Sequence, residues 1–167
     1  MIRGSQEIAR SLKRGESVFL LASADRGRAL VEEATRMGGL NVHTAACVDL
    51  EDPATETRLG LLRTLAVAAG CDARSISSEH DLQDFSALLK QRHPSLIVLT
   101  HFERAAGRYD ADLYATLAFL VSDVRALRLL LQADRGIHAI DAHASARWVF
   151  LKTIVDEGAA PADCEIR

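Results

Sequence analysis

The stretch that decides the fold is SVFLLASADRGRALVEE, residues 17–33. Val18, Phe19, Leu20 and Leu21 run together without the alternation of a half-solvated strand, which is the pattern of a strand buried on both faces of a parallel sheet. The residues that follow, Ala22-Ser23-Ala24-Asp25, are small or polar and read as a loop. Ala29, Leu30, Ala34 and Met37 then recur at helical spacing. Strand, loop and helix in that order open a βαβ unit, with the loop expected over residues 22–29. In an open parallel sheet, ligands bind at the carboxyl ends of the strands, so this loop is the first place to look for chemistry.

The same alternation continues in both directions. Residues 5–14 read as an amphipathic helix, with Ile8, Ala9 and Leu12 on one side, Ser5 as its cap and Gly15 as its stop. The opening strand is expected over 16–22, and the helix after the loop is expected to stop at Gly38-Gly39. Residues 40–50, LNVHTAACVDL, form a second strand, with Cys47 inside it as a small buried hydrophobe. Asp52 caps a helix whose first position is Pro53 and whose inner face is Leu59, Leu62, Ala66 and Ala69. A further helix carries Leu82, Phe85, Leu88 and Leu89 and ends before Pro94. The third strand is 95–100, SLIVLT. Asp110 caps a helix bearing Leu113, Leu117, Leu120, Val121 and Val124, and 126–132, ALRLLLQ, is a fourth strand. Beyond it, Trp148, Leu151 and Val155 suggest a helix, preceded by a short fifth strand at 136–140. The expected architecture is a three-layer α/β/α sandwich around a mainly parallel sheet of four or five strands. It spans one domain, 1–157, followed by a flexible tail, 158–167.

Composition narrows the function classes. A chain of 167 residues, 49% apolar and 26% charged, supports one globular core. A net charge of -3 and a pI near 6.1 give no electrostatic reason to expect nucleic acid. Cys47, Cys71 and Cys164 form no CxxC pair, which argues against a disulfide framework and against a zinc ribbon. No apolar run approaches membrane-spanning length, and the opening MIRGSQEIAR lacks the apolar core of a signal peptide. A cytoplasmic location without a membrane partner is the expectation. His138 and His143 lie near Asp141 but lack helical ligand spacing, and read as ordinary histidines. Asp49, Glu51 and Asp52 read as a capped helix start and a solvated acidic loop.

A phosphate-binding P-loop is Gly, four residues, then Gly-Lys-Ser/Thr between a strand and a helix. Its glycines aim backbone N–H groups at phosphate, its lysine neutralises charge and its hydroxyl ligates magnesium. The segment Ala22-Ser23-Ala24-Asp25-Arg26-Gly27-Arg28-Ala29 fits that length without a gap. Only Gly27 is retained: Ala22 replaces the first glycine, Arg28 the lysine and Ala29 the hydroxyl. At the end of the third strand, where such ATPases carry a magnesium-holding Asp and a water-activating Glu, stand Thr100 and His101. Threonine is a poor substitute for a carboxylate in holding a cation.

Taken in order, SQEIARSLKRGESVFLLA, ASADRGRA, VDLEDP, LIVLTHFER and LRLLLQADRG resemble the core of AAA+ or STAND-type P-loop ATPases, nearest the ORC-like branch. The resemblance covers roughly residues 3–140. It implies P-loop NTPase-like topology and places Gln132 where the family often has a polar sensor residue. Only a short stretch follows the fourth strand, where the family usually has a small helical lid. The joint replacement at Ala29, Thr100 and His101 implies a loss of hydrolysis by at least about two to four orders of magnitude. The expectation is a catalytically inactive AAA+/STAND-like domain with no cofactor, acting through a protein partner or as a homo-oligomer. The alternative is weak ATP or ADP binding without magnesium, through Gly27 and the amino end of a helix starting at Arg28, with charge from Arg26 and Arg28.

Overall fold

The computed structural model describes residues 3–37, 45–124 and 126–158. Five strands, β1 (Ser17–Leu21), β2 (Ala45–Asp49), β3 (Leu96–Thr100), β4 (Arg128–Ala133) and β5 (Leu151–Val155), form one sheet in the order β2-β3-β4-β1-β5. Every neighbouring pair is parallel, with Val18 opposite Leu130 and Lys152, and Val98 opposite Cys47 and Leu130. The three inner strands β1, β3 and β4 are buried almost throughout. This is why their sequences are unbroken apolar runs.

The described residues include seven α-helices, α1 (Arg3–Lys13), α2 (Ala24–Met37), α3 (Arg58–Ala68), α4 (Asp81–Arg92), α5 (Ala111–Asp123), and the short α6 (Ile137–Ile140) and α7 (Ala144–Arg147), together with three short 3-10 turns. One core layer joins Ile8, Leu12, Leu30 and Ala34 of α1 and α2 to Val18, Leu20, Val98, Leu130 and Ile154 of the sheet. The opposite layer sets Leu61, Leu65, Phe85, Leu117 and Trp148 against Phe19, Val48, Ile97, Leu99 and Leu131. Successive strand residues therefore alternate between two helical layers, and the three-layer α/β/α sandwich follows.

The connection from β1 through α2 passes over β4 and β3 to the far edge of the sheet. The later connections return on the other face, as right-handed crossovers require once the direction of travel reverses. β1 and β4 are thus neighbours whose chains leave toward opposite layers. The crevice at their carboxyl ends is the topological switch point of the sheet.

Several local expectations are corrected. Ser5 is not a cap: it is fully buried within α1, with its hydroxyl 3.7 Å from the Met37 sulfur. Gly15 does end the helix, at φ +83°, as its N–H donates to Leu12 O and that of Glu16 to Ser11 O. Asp52 caps only a tight turn over Pro53–Thr55, through Ala54 N–H. Helix α3 starts later, capped by Thr57. Asp110 caps α5 as expected, accepting from Leu113 N–H at 3.0 Å.

The region after β4 is inverted relative to its sequence reading. Residues 137–140 are helical and Leu151–Val155 is the fifth strand. β5 is an edge strand with only Ile154 buried, so it lacks the apolar run that marks its neighbours. Cys47 is exposed, not buried, because β2 is the opposite edge and only Ala46 and Val48 turn inward. Surrounding protein atoms still desolvate the Cys47 thiol and push its pKa up. The expected stop at Gly38-Gly39, the first half of the second strand and the tail beyond Gly158 lie outside the described residues.

Candidate functional site

The sequence expects a loop over residues 22–29, but the helix α2 already begins at Ala24. Only Ala22 and Ser23 separate strand from helix. The Gly27 N–H donates to Ser23 O at 2.7 Å, an ordinary helical bond. The one retained glycine of the P-loop pattern thus lies in the first turn of a helix, with its amide already used. The helix starts four residues before Arg28, where the phosphate-holding alternative placed it.

Gly27 has a different partner. A Cβ built there would lie 2.6 Å from Gln132 Cγ and 2.9 Å from Gln132 Nε2. No real Cβ contact is that short, so the glycine is what lets the Gln132 side chain lie across the end of β1. Gln132 is fully buried. Its Nε2 donates to Ala22 O at 2.9 Å and its Oε1 accepts from His101 N–H at 3.0 Å. Ala22 N–H donates in turn to Ala133 O. A satisfied buried amide therefore fills the crevice between β1 and β4 and ties the carboxyl ends of β1, β4 and β3 together.

The chain of polar contacts continues to β2. His101, held at φ +53°, places Nδ1 2.7 Å from Asp49 Oδ1 and Nε2 3.8 Å from Glu51 Oε2. Arg104 Nη2 donates to Glu51 Oε1 at 3.0 Å. The acidic loop after β2 is therefore paired with the basic residues after β3 and is not merely solvated. Ala22, Gly27, His101 and Gln132 come together.

Arg28 and Thr100 take no part in the Gln132 bonds. They line an adjoining groove of about 210 Å³ with Val31, Glu32, Cys47, Val48, Asp49 and Val98. The Arg28 side chain is 78% exposed and pairs with Glu32 one turn on, and Ala29 is exposed. Ala29 therefore lies on the outer face of α2 rather than in its apolar stripe, where Gly27, Leu30, Val31, Ala34 and Thr35 are buried.

Sequence reasoning missed two further ties. Arg26, in the first turn of α2, is ion-paired with Asp156, which is buried just after β5 and donates its own N–H to Leu21 O. Asp141 is buried and accepts from Arg147 Nη1 at 2.6 Å, Trp148 Nε1 at 2.8 Å and His143 N–H at 3.0 Å. The carboxylate beside His138 and His143 is thus already occupied. Among the described residues, no group of three or more His, Cys, Asp or Glu is placed to hold a metal ion. Among them, too, no helix is long and apolar enough to cross a membrane.

No family model matches the sequence, and no curated protein matches it. In structure, the chain is similar to the Walker-type ATPase PABY2304 of Pyrococcus abyssi, with a TM-score of 0.63 at 13% identity. The match covers 92% of this chain and 52% of that one, so the chain spans about half the length of that ATPase. At such identity the likeness concerns the fold: an all-parallel α/β sheet of the kind P-loop Walker-type ATPases use.

Proposed function

We propose that this chain is a catalytically inactive domain of AAA+/STAND-like kind, which keeps the ATPase sheet as a scaffold and works through contacts with another protein or a second copy of itself. One observation carries the reading: the Gln132 amide occupies the crevice beside Gly27 where a nucleotide's phosphates would be cradled. The early start of α2 supports it by converting the would-be loop into helix. The exposed Ala29 has no hydroxyl to offer magnesium, and Thr100 is a weaker ligand than the carboxylate it replaces. His101 is turned toward Asp49 and Glu51.

The alternative, weak ATP or ADP binding without magnesium, would have to use the amides of Ala24, Asp25 and Arg26, since that of Gly27 is bonded to Ser23 O. Asp25 brings negative charge to the same turn, and Arg26 is engaged with Asp156. Phosphate release from ATP in the presence of magnesium tests the leading reading. The expected rate is that of buffer alone, and a rate that Arg28→Ala abolishes would overturn it. Size-exclusion chromatography with light scattering separates the two modes of action, a second copy giving a concentration-dependent dimer or larger assembly.

A further inference from the structure

A second concavity lies at the carboxyl ends of the strands, between the loops after β3 and β4. It is a cleft of about 500 Å³ lined by Glu103, Arg104, Gly107, Arg108, Asp134 and Arg135, together with Ala106. That volume falls in the range of small-molecule sites. The walls come from two separate loops, the one after β3 and the one after β4, so the residues are gathered by the fold and not by sequence proximity.

Arginine dominates its lining, although Glu51 pairs with Arg104 from the loop after β2. Three guanidinium groups line it against two carboxylates, in a protein of net charge -3. Both carboxylates have internal partners: Glu103 Oε2 accepts from Asp134 N–H at 3.2 Å, and Asp134 Oδ1 accepts from Arg135 at 3.2 Å.

Each arginine has an internal contact, and Arg108 also lies against the Tyr109 hydroxyl. Arg104 is held by Glu51, and Arg108 Nη1 donates to Leu50 O at 2.8 Å, so residues just after β2 orient two of the three. Arg135 is held by its neighbour Asp134. A guanidinium has five N–H donors in a rigid fork, so each arginine keeps donors for a ligand beside its internal contacts.

We infer that the cleft between the loops after β3 and β4 is a binding site for a small polyanion bearing phosphate or carboxylate groups, gripped by Arg104, Arg108 and Arg135. Recognition rests on charge-assisted, forked hydrogen bonds to oxygen pairs on the ligand. It needs no metal and does not use the crevice that Gln132 fills. The inference is independent of whether the chain works through a protein partner.

The test is calorimetric titration of the full chain with pyrophosphate and, separately, citrate, in metal-free buffer at low ionic strength. Saturable binding of either is expected, and the anion that responds identifies phosphate or carboxylate as the natural group. Binding should weaken with added salt and fall about tenfold or more in the Arg104→Gln/Arg135→Gln double variant, because two charged donors are lost. Arg135→Gln alone removes only an exposed residue paired with its chain neighbour, so it serves as the variant whose fold is not at issue and is expected to weaken binding in the same direction. The proposal is overturned if neither anion gives saturable heat by about 10 mM. It is equally overturned if folded Arg135→Gln and the folded double variant both bind as tightly as the parent chain.

Discussion

Gly27 of helix α2 and Gln132 of strand β4 share a single space: a methyl group on the first would lie 2.6 Å from the Cγ of the second. Gln132 cannot yield it cheaply, since both ends of its amide are bonded, to Ala22 O and to His101 N–H. Helix propensity alone favours Gly27→Ala by about 1 kcal/mol. The contact predicts the opposite sign, a loss of about 1–3 kcal/mol from overpacking. Thermal unfolding of Gly27→Ala, Gln132→Ala and the double variant measures it. Gln132→Ala should relieve most of the penalty in the double variant, a non-additivity expected only if the two residues touch.

Asp141 gives a pH-dependent prediction. Burial by itself raises its pKa, but the bonds from His143 N–H, Arg147 and Trp148 outweigh this and leave it below the usual carboxylate value. A depressed folded-state pKa stabilises the fold above the unfolded value of about 3.9, and this is lost as pH falls through the lower folded value. Asp141→Asn should therefore cost about 2–4 kcal/mol at neutral pH. Urea unfolding from pH 7 downward should show the two proteins converging below about pH 4. A constant gap across that range would mean the carboxylate charge contributes nothing.

The two tyrosines predict behaviour at the alkaline end. Burial raises the pKa of both, that of Tyr114 to about 12 with Asp141 adding to the shift. Their hydroxyls donate to backbone carbonyls, Tyr109 to Thr55 O and Tyr114 to Ala105 O. A raised folded-state pKa contributes stability that is complete below the unfolded value of about 10 and is lost as pH climbs through the folded value. Absorbance near the tyrosinate band should rise at higher pH than for free tyrosine, with Tyr114 titrating late, and steeply if alkaline unfolding intervenes. A smooth titration centred on pH 10 would place both rings in solvent.

How much the sequence discloses depends on where each residue lies in the sheet. β1, β3 and β4 are legible because central strands must be apolar on both faces. The edges are not: β2 buries only alternate residues, leaving Cys47 exposed, and β5 buries only Ile154, so Leu151-Lys152-Thr153-Ile154-Val155 looks as much like helix as strand. Ala126, expected to begin the fourth strand, instead adopts φ +66° in the turn before it, a conformation that an alanine does not advertise. At the site, the template of a P-loop imposed an eight-residue loop on a segment with good helix formers. Ser23-Ala24-Asp25 reads equally well as a helix start. The contacts that define the crevice join residues far apart in the chain, His101 to Asp49 and Gln132 to Ala22. Local spacing singled out Ala22, Gly27 and His101, and the family resemblance Gln132; neither gave their partners.

The most direct test of the filled crevice is calorimetric titration of the intact protein with ATP and with ADP, each with and without magnesium, to millimolar ligand. The account predicts no saturable magnesium-dependent heat and no change when Gly27 or Arg28 is substituted in a folded variant. Magnesium-dependent, saturable binding of ATP would contradict it, because the account puts the Gln132 amide where the triphosphate would lie.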